Sequence, residues 1–409
     1  CYNMLLHIIF IIFLFCYYLI SKGKFKLSLF FVFIYSFLLS LEIANEYFFS
    51  LGPPVHFNQI IFLYVVAYNI LMFTMYHYIS GKGIFGCVIY AALVTFISAL
   101  KISIPLNPII LYYKYSLLFL PHTNIPLFNL YIINLFPALL FSCDFKKIII
   151  LLVCYMSTIL PICTLISDKA PKINIAIIQV GLYYKNGGTT EQFYDDMVRF
   201  IKSHNVNLVV FSENVYFGYK NLFIKGNTDS FLLKIKSDPS LKKYAFLFNF
   251  FGYKQFNNVI SMFLYNDRLQ LHQKTILIPF IEKKSVFNTS ESLSSEYLNI
   301  DNKIKNSDTF QIHDFSFKAY ICYEALFPVT TVYNGVVIAQ SDYVRLNKGK
   351  EYKKTLVNGS LLGKFSVAPN TTLINIQNYG GTIVLNKYWE IDWDIYNRSK
   401  KEPFLVIKL

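Results

Sequence analysis

Along the chain, hydrophobic and polar positions fall into two regimes that change near residue 166. Before that point apolar residues run in long stretches, at 4–20, 27–47, 57–79, 84–100, 124–142 and 147–166. Each approaches the ~20 residues needed to cross ~30 Å of hydrocarbon, so the pattern predicts about six membrane spans. The segment 103–121 is broken by Pro105, Pro108 and Pro121 and carries Lys114. It reads as a loop, an interfacial helix or a re-entrant piece. After a short polar linker, Ser167–Lys172, the apolar runs shorten and alternate with polar ones.

In that second regime INIAIIQ (173–179), LVVF (208–211), FLFNF (246–250), VISMFLY (259–265), FKAYI (317–321), VVIAQ (336–340) and TLINI (372–376) read as strands. They are short, rich in β-branched and aromatic residues, and nearly free of charge. Between the first two, Phe193, Met197, Val198 and Ile201 recur at helical spacing over 189–204, with Thr190 as a candidate cap. Strands alternating with helical stretches predict an α/β layered domain over 173–409. The expected organisation is a helical membrane domain over 1–166, a linker over 167–172, and that α/β domain.

Charge agrees with the division. Of 38 basic and 24 acidic side chains, eight and three lie before residue 167. The lysines at 22, 24 and 26, at 82, and at 146 and 147 sit in alternate loops. With six spans they share one face, which the positive-inside rule makes the cytoplasm. The second domain is then expected on the outer side. Cys1 in place of an initiator Met points to an upstream segment. The net charge of +14 forms no basic stripe with interleaved aromatics, so no nucleic-acid partner is expected.

Cysteine usage narrows the chemistry. Of seven cysteines only Cys322 falls after residue 166. That domain can form no internal disulfide and no cysteine-based metal site, and no cofactor or metal is expected. A lone cysteine on a strand is ordinarily a small buried hydrophobe. Cys322, however, ends an apolar strand, where α/β folds place their working groups. Glu213 follows another strand end, and Lys274 lies in a third polar-edged segment. A thiol needs a base to become a good nucleophile. Glu213 can supply it, and Lys274 can face the oxyanion of a tetrahedral intermediate. A sharp turn into a helix at Cys322 would favour the thiolate through the helix N-terminus.

Three segments then carry a resemblance: FSENVYFGY (211–219), HQKTILIPFIEKK (272–284) and AYICYEALFP (319–328). Together they resemble the Glu-Lys-Cys set of the nitrilase (carbon–nitrogen hydrolase) superfamily. The run K-T-I-L-I-P-F-I-E and the pairing of I-C-Y-E with F-P are similar to apolipoprotein N-acyltransferases. The resemblance implies a nitrilase-like αββα sandwich behind multi-span helices. Glu213, Lys274 and Cys322 would be its catalytic residues, with Glu282, Tyr323 and Glu324 supporting them. It further implies a monomeric multi-pass protein of the bacterial inner membrane, its catalytic domain periplasmic. That enzyme would pass an acyl chain from a phospholipid, through a cysteine thioester, to the N-terminal amine of a lipoprotein.

The chain departs from the family pattern in several places. Ser212 stands where proline usually precedes the base, and Ile281 where a glycine is usual. An asparagine–aspartate element survives as Ser341-Asp342, an N-T-G turn as Asn378-Tyr379-Gly380. The segment 359–370 shows no counterpart of the R-A-I-E helix. Such departures also fit a divergent relative of the TraB-type conjugal transfer proteins, or a membrane scaffold whose site has decayed.

Overall fold

The computed structural model describes residues 83–99, 125–142, 173–213, 225–253, 256–278, 302–330, 335–343 and 353–409, with scattered further positions that include Glu282 and Tyr333. Two apolar helices come first: α1 (Ile84–Ala99) and α2 (Pro126–Ser142), of 16 and 17 residues. Their rise is about 24–26 Å, short of a ~30 Å hydrocarbon layer. Among the described residues, no helix is long and apolar enough to cross a membrane.

That finding corrects the reading of 1–166 as a multi-span membrane domain, and with it the inner-membrane location. Part of the apolar surface of α1 and α2 serves helix packing, while Phe85, Phe96 and Phe128 stay exposed. Cys87, Ala91 and Val94 of α1 are buried, as are Leu130, Ala138 and Leu139 of α2. Asn134 donates from Nδ2 to Thr95 Oγ1 at 3.3 Å, and the Cys87 thiol to the Ala138 carbonyl at 3.4 Å. Leu130 also joins a core cluster of the following domain. The stretches 4–20 and 147–166, most of 27–47 and 57–79, and the linker 167–172 lie outside the described residues.

The α/β domain has two sheets. The first has six strands: β1 (Asn174–Ile178), β2 (Leu208–Phe211), β3 (Ala245–Tyr253), β4 (Phe256–Tyr265), β5 (Arg268–Gln273) and, on the other side of β1, β11 (Phe404–Lys408). The second orders β10 (Ile383–Leu385), β9 (Thr372–Gln377), β8 (Val336–Ser341), β7 (Phe315–Ile321) and β6 (Thr309–Ile312). The central pairs β1–β2–β3 and β7–β8–β9 are parallel, while hairpins and the C-terminal strand add antiparallel edges. Parallel strands covered on both faces read as the continuous apolar runs seen in the sequence.

The sheets pack face to face. Ile175, Ile177, Val210 and Leu247 of one meet Phe317, Ala319, Ile338 and Ile374 of the other in a single cluster. Helices cover the outside. On the first sheet lie α3 (Val180–Lys185) and α4 (Thr190–Ser203), whose buried face is Phe193, Met197, Val198 and Ile201. Ile235 and Phe231 of α5 (Lys225–Ser237) add to that layer. The N-cap of α4 is Thr189, not Thr190, its hydroxyl accepting from Gln192 N–H at 3.4 Å. On the second sheet lie α6 (Lys353–Val367) and α7 (Trp393–Ser399). The result is an αββα sandwich, in which parallel pairing makes β1, β2 and β3 of one sheet, and β7, β8 and β9 of the other, end on the same side of their own sheet.

Candidate active site

The three segments singled out in the sequence meet where these strands end. Glu213 stands two residues past β2, Lys274 directly after β5, and Cys322 directly after β7. The Lys274 side chain is fully buried, and its ammonium lies 2.7 Å from Glu282 Oε1 and 3.4 Å from Glu213 Oε1. The other Glu282 oxygen accepts from Ile278 N–H at 2.8 Å, which tethers the carboxylate to the chain that follows Lys274. The other Glu213 oxygen accepts from Asp342 N–H at 3.0 Å, at the end of β8.

Cys322 is also buried, and the backbone turns sharply there, with φ +48°. Such a left-handed turn is unusual for a residue other than glycine and is stored strain. The chain continues as a five-residue 3-10 turn, Cys322–Leu326, instead of the α-helix expected after the nucleophile. Helix-dipole stabilisation of the thiolate is therefore not the controlling influence. Burial pushes the Cys322 thiol well up, Glu213 and Glu282 push the same way, and Lys274 together with the Asp342 N–H opposes them. The resting group is a thiol that needs a base.

Lys274 responds in the opposite sense. Burial works against its charge, but Glu213, Glu282 and Cys322 outweigh it and hold the ammonium more firmly protonated than usual. Burial in turn raises the Glu282 carboxyl, against the pull of Lys274. A permanently charged donor in a dry site is the arrangement that stabilises developing oxyanions, because little reorganisation is needed as charge appears.

The remaining named residues have distinct places. Glu324 is buried and accepts from Ile321 N–H at 3.1 Å, from Thr275 N–H and Oγ1 at 2.8 Å each, and from His272 Nε2 at 2.8 Å. Burial opposes its charge, but His272 and those donors bring the carboxyl down to about 2. Tyr323 packs edge to face on Phe327 at 5.3 Å against the outer core. Among the described residues, no His, Cys, Asp and Glu cluster is suited to a metal ion.

Sequence reasoning gave His272 and Thr275 no role, and it named Ser212 and Asn378 only in comparing the chain with the family pattern. His272 carried a usable signal: it lies two residues before Lys274 on a strand, so the two share a face. The Ser212 hydroxyl donates to Asn378 Oδ1 at 3.0 Å, and Gly181 N–H donates to the same oxygen at 2.8 Å. The position where proline is usual thus ties the strand end carrying Glu213 to the turn after β9.

No protein-family model matches the chain, and neither does any curated protein. Among solved structures, a glutamine-dependent NAD(+) synthetase from Cytophaga hutchinsonii is similar at TM-score 0.35 and 11% identity, over 58% of this chain and 43% of that one. A carbon–nitrogen hydrolase from Helicobacter pylori G27 is similar at TM-score 0.36 and 13% identity, over 58% of this chain and 89% of that one. This chain therefore spans less than half the length of the synthetase. Likeness at that level assigns neither family nor activity.

Proposed function

We propose that this chain is a thiol enzyme of the nitrilase type, which transfers an acyl group through a thioester at Cys322. The observation that carries the reading is Lys274: a fully buried ammonium 2.7 Å from Glu282 and 3.4 Å from Glu213, beside the strained turn of a buried cysteine. Burying a charge is costly unless it is paired, and a structural core has little use for one.

In the proposed cycle the Glu213 carboxylate takes the Cys322 proton as sulfur attacks a carboxyl-derived carbon. The carbonyl π bond becomes an oxyanion held by Lys274. Collapse re-forms the carbonyl and breaks the bond to the leaving amine or alkoxide, which receives the proton from Glu213. An acceptor then gives its proton to Glu213, attacks the thioester, and returns the thiol. Glu282 fixes Lys274 throughout. In its finer form the acyl donor is a phospholipid ester and the acceptor the N-terminal amine of a lipoprotein. The runs 274–282 and 321–328 support that form by their similarity to the acyltransferase motifs.

The test is to incubate the protein with phospholipid, and separately with simple amides, and to look for a hydroxylamine-labile adduct on Cys322 by mass spectrometry. Adduct on the wild type and none on Cys322→Ala is expected. Product formation with a peptide amine but not with water would mark the finer form. Absence of adduct from every ester and amide donor would sink the thiol mechanism.

A further inference from the structure

The Glu324 carboxylate is a staple between two pieces of chain. Three of its four hydrogen bonds come from the end of β5, from His272 Nε2 and from the Thr275 N–H and hydroxyl. The fourth comes from Ile321 N–H, just before the nucleophile. Lys274 lies between His272 and Thr275, and Cys322 lies between Ile321 and Glu324. The staple therefore sets where the ammonium stands relative to sulfur.

Glu324 is 4% exposed, and a carboxylate so buried requires a counter-charge as well as neutral donors. His272 is 5% exposed and meets it at 2.8 Å, a distance typical of a charge-assisted bond. The other groups around the imidazole are Asp308, on the chain entering β6, and Tyr320 of β7, whose ring lies edge to face with it at 6.3 Å. Asp308 is itself bound by Lys318 Nζ at 3.1 Å and by the Tyr320 hydroxyl at 3.3 Å.

We propose that His272 is a positioning residue, whose imidazolium keeps Glu324 charged and thereby locks the Cys322 turn to the strand end that carries Lys274. Without that cation Glu324 takes up a proton. One of its oxygens then becomes a donor facing other donors, and the staple opens. The inference rests on the function proposed above, but its readout can be separated from that reading.

The test uses the full chain and the variant His272→Gln, which keeps an N–H donor and removes the charge. Cys322 alkylation by iodoacetamide and thioester formation are each followed across pH. The wild-type profiles are expected to fall as the imidazolium loses its proton. The variant is expected to lack that ionisation and to form thioester about 10–100-fold more slowly, the scale of a displacement near 1 Å, with KM little changed. A variant within twofold of wild type and with the same profile overturns the proposal. Should the variant not fold, the 13C shifts of labelled histidine in the wild type decide. An imidazolium at His272 at neutral pH supports the proposal, and a neutral ring overturns it. If wild-type Cys322 forms no thioester while its alkylation still depends on His272, the acyl-transfer reading fails and the positioning role stands.

Discussion

Two regions of the molecule each bury a lysine completely and treat it in opposite ways. At the strand ends, Lys274 has two carboxylates against its ammonium, and its proton is held more tightly than usual. On the outer helix α6, Lys364 donates to the Thr371 carbonyl and lies 5.7 Å from the centre of the Trp389 ring. No carboxylate contacts it among the described residues, and burial pushes its pKa well down. The first lysine is held charged, as the proposed mechanism requires. The second is an aliphatic stem that fills the outer core, where burial disfavours its charged form. Burial alone therefore does not mark a working residue. What distinguishes Lys274 is that groups from separate strand ends converge on it.

The largest effect is expected from Lys274→Met. Removing the cation takes away the proposed oxyanion donor and leaves Glu213 and Glu282 crowded without a counter-charge. Thioester formation should fall by about 10²–10³-fold or more. Breaking a buried pair from one side also costs about 3–5 kcal/mol, which denaturant unfolding can measure. Unchanged stability together with unchanged activity would erase the contrast between the two lysines.

Glu213→Gln should come next, with thioester formation reduced by about 10²–10⁴-fold. The fold should be retained, because Glu282 still holds Lys274. The neutral amide cannot take the thiol proton, and burial keeps the thiol protonated near neutral pH. The residual rate of the variant should therefore climb with pH, as hydroxide supplies thiolate that no base delivers. A flat profile in Glu213→Gln would assign the proton to another group.

The parts of this arrangement that sequence reasoning reaches are those with strong local signatures. β1, β2 and β8 are nearly continuous apolar runs because both their faces are covered, while β7 and β9 are broken by a few polar positions. The residue pattern alone therefore puts Glu213 and Cys322 at strand ends. β5 escapes it because RLQLHQ is polar and partly exposed, and β11 because PFLVIKL closes a charged tail. The helix α6 is interrupted in pattern by Gly359 and Gly363; a Cβ at Gly363 would come 3.4 Å from Leu373 as the helix packs down on the second sheet. The stretches that form α1 and α2 mislead for a physical reason. Apolar content rises equally for a helix facing lipid and for one packed on its neighbour, and only length and contacts separate α1 and α2 from spans.

The third effect, and the one that tests the other lysine, is Lys364→Met. The folded-state pKa of Lys364 is depressed, so between that value and the ordinary lysine range the unfolded chain binds the extra proton. Stability should therefore rise with pH across that interval, and the wild type is weakest on its acid side. A methionine of similar length removes the liability. Stability at pH 7 should increase by about 1–3 kcal/mol, with the gain shrinking as pH approaches ~10.4. Activity should stay within about twofold. A destabilised Lys364→Met with lost activity would mean that this lysine, too, is a charge the molecule uses.

The smallest effect is expected at Ser212, and it sharpens the picture of the Lys274 region from its neutral side. Glu213 is placed partly by charge, through Lys274, and partly by neutral hydrogen bonds that begin with the Ser212 hydroxyl on Asn378. Asn378 continues from Nδ2 to Asp342 Oδ2 at 3.4 Å, and Asp342 N–H holds the second oxygen of Glu213. Ser212→Ala removes one donor while Gly181 N–H still serves Asn378 Oδ1, so the loss should be about 1 kcal/mol. Turnover should drop only a few-fold. Ser212→Pro should cost more, because Ser212 N–H donates to the Ile178 carbonyl at 3.2 Å and a proline cannot. If the proline variant instead matches wild type in melting temperature and rate, the hydroxyl link is incidental, and Lys274 with Asp342 N–H is enough to aim the base.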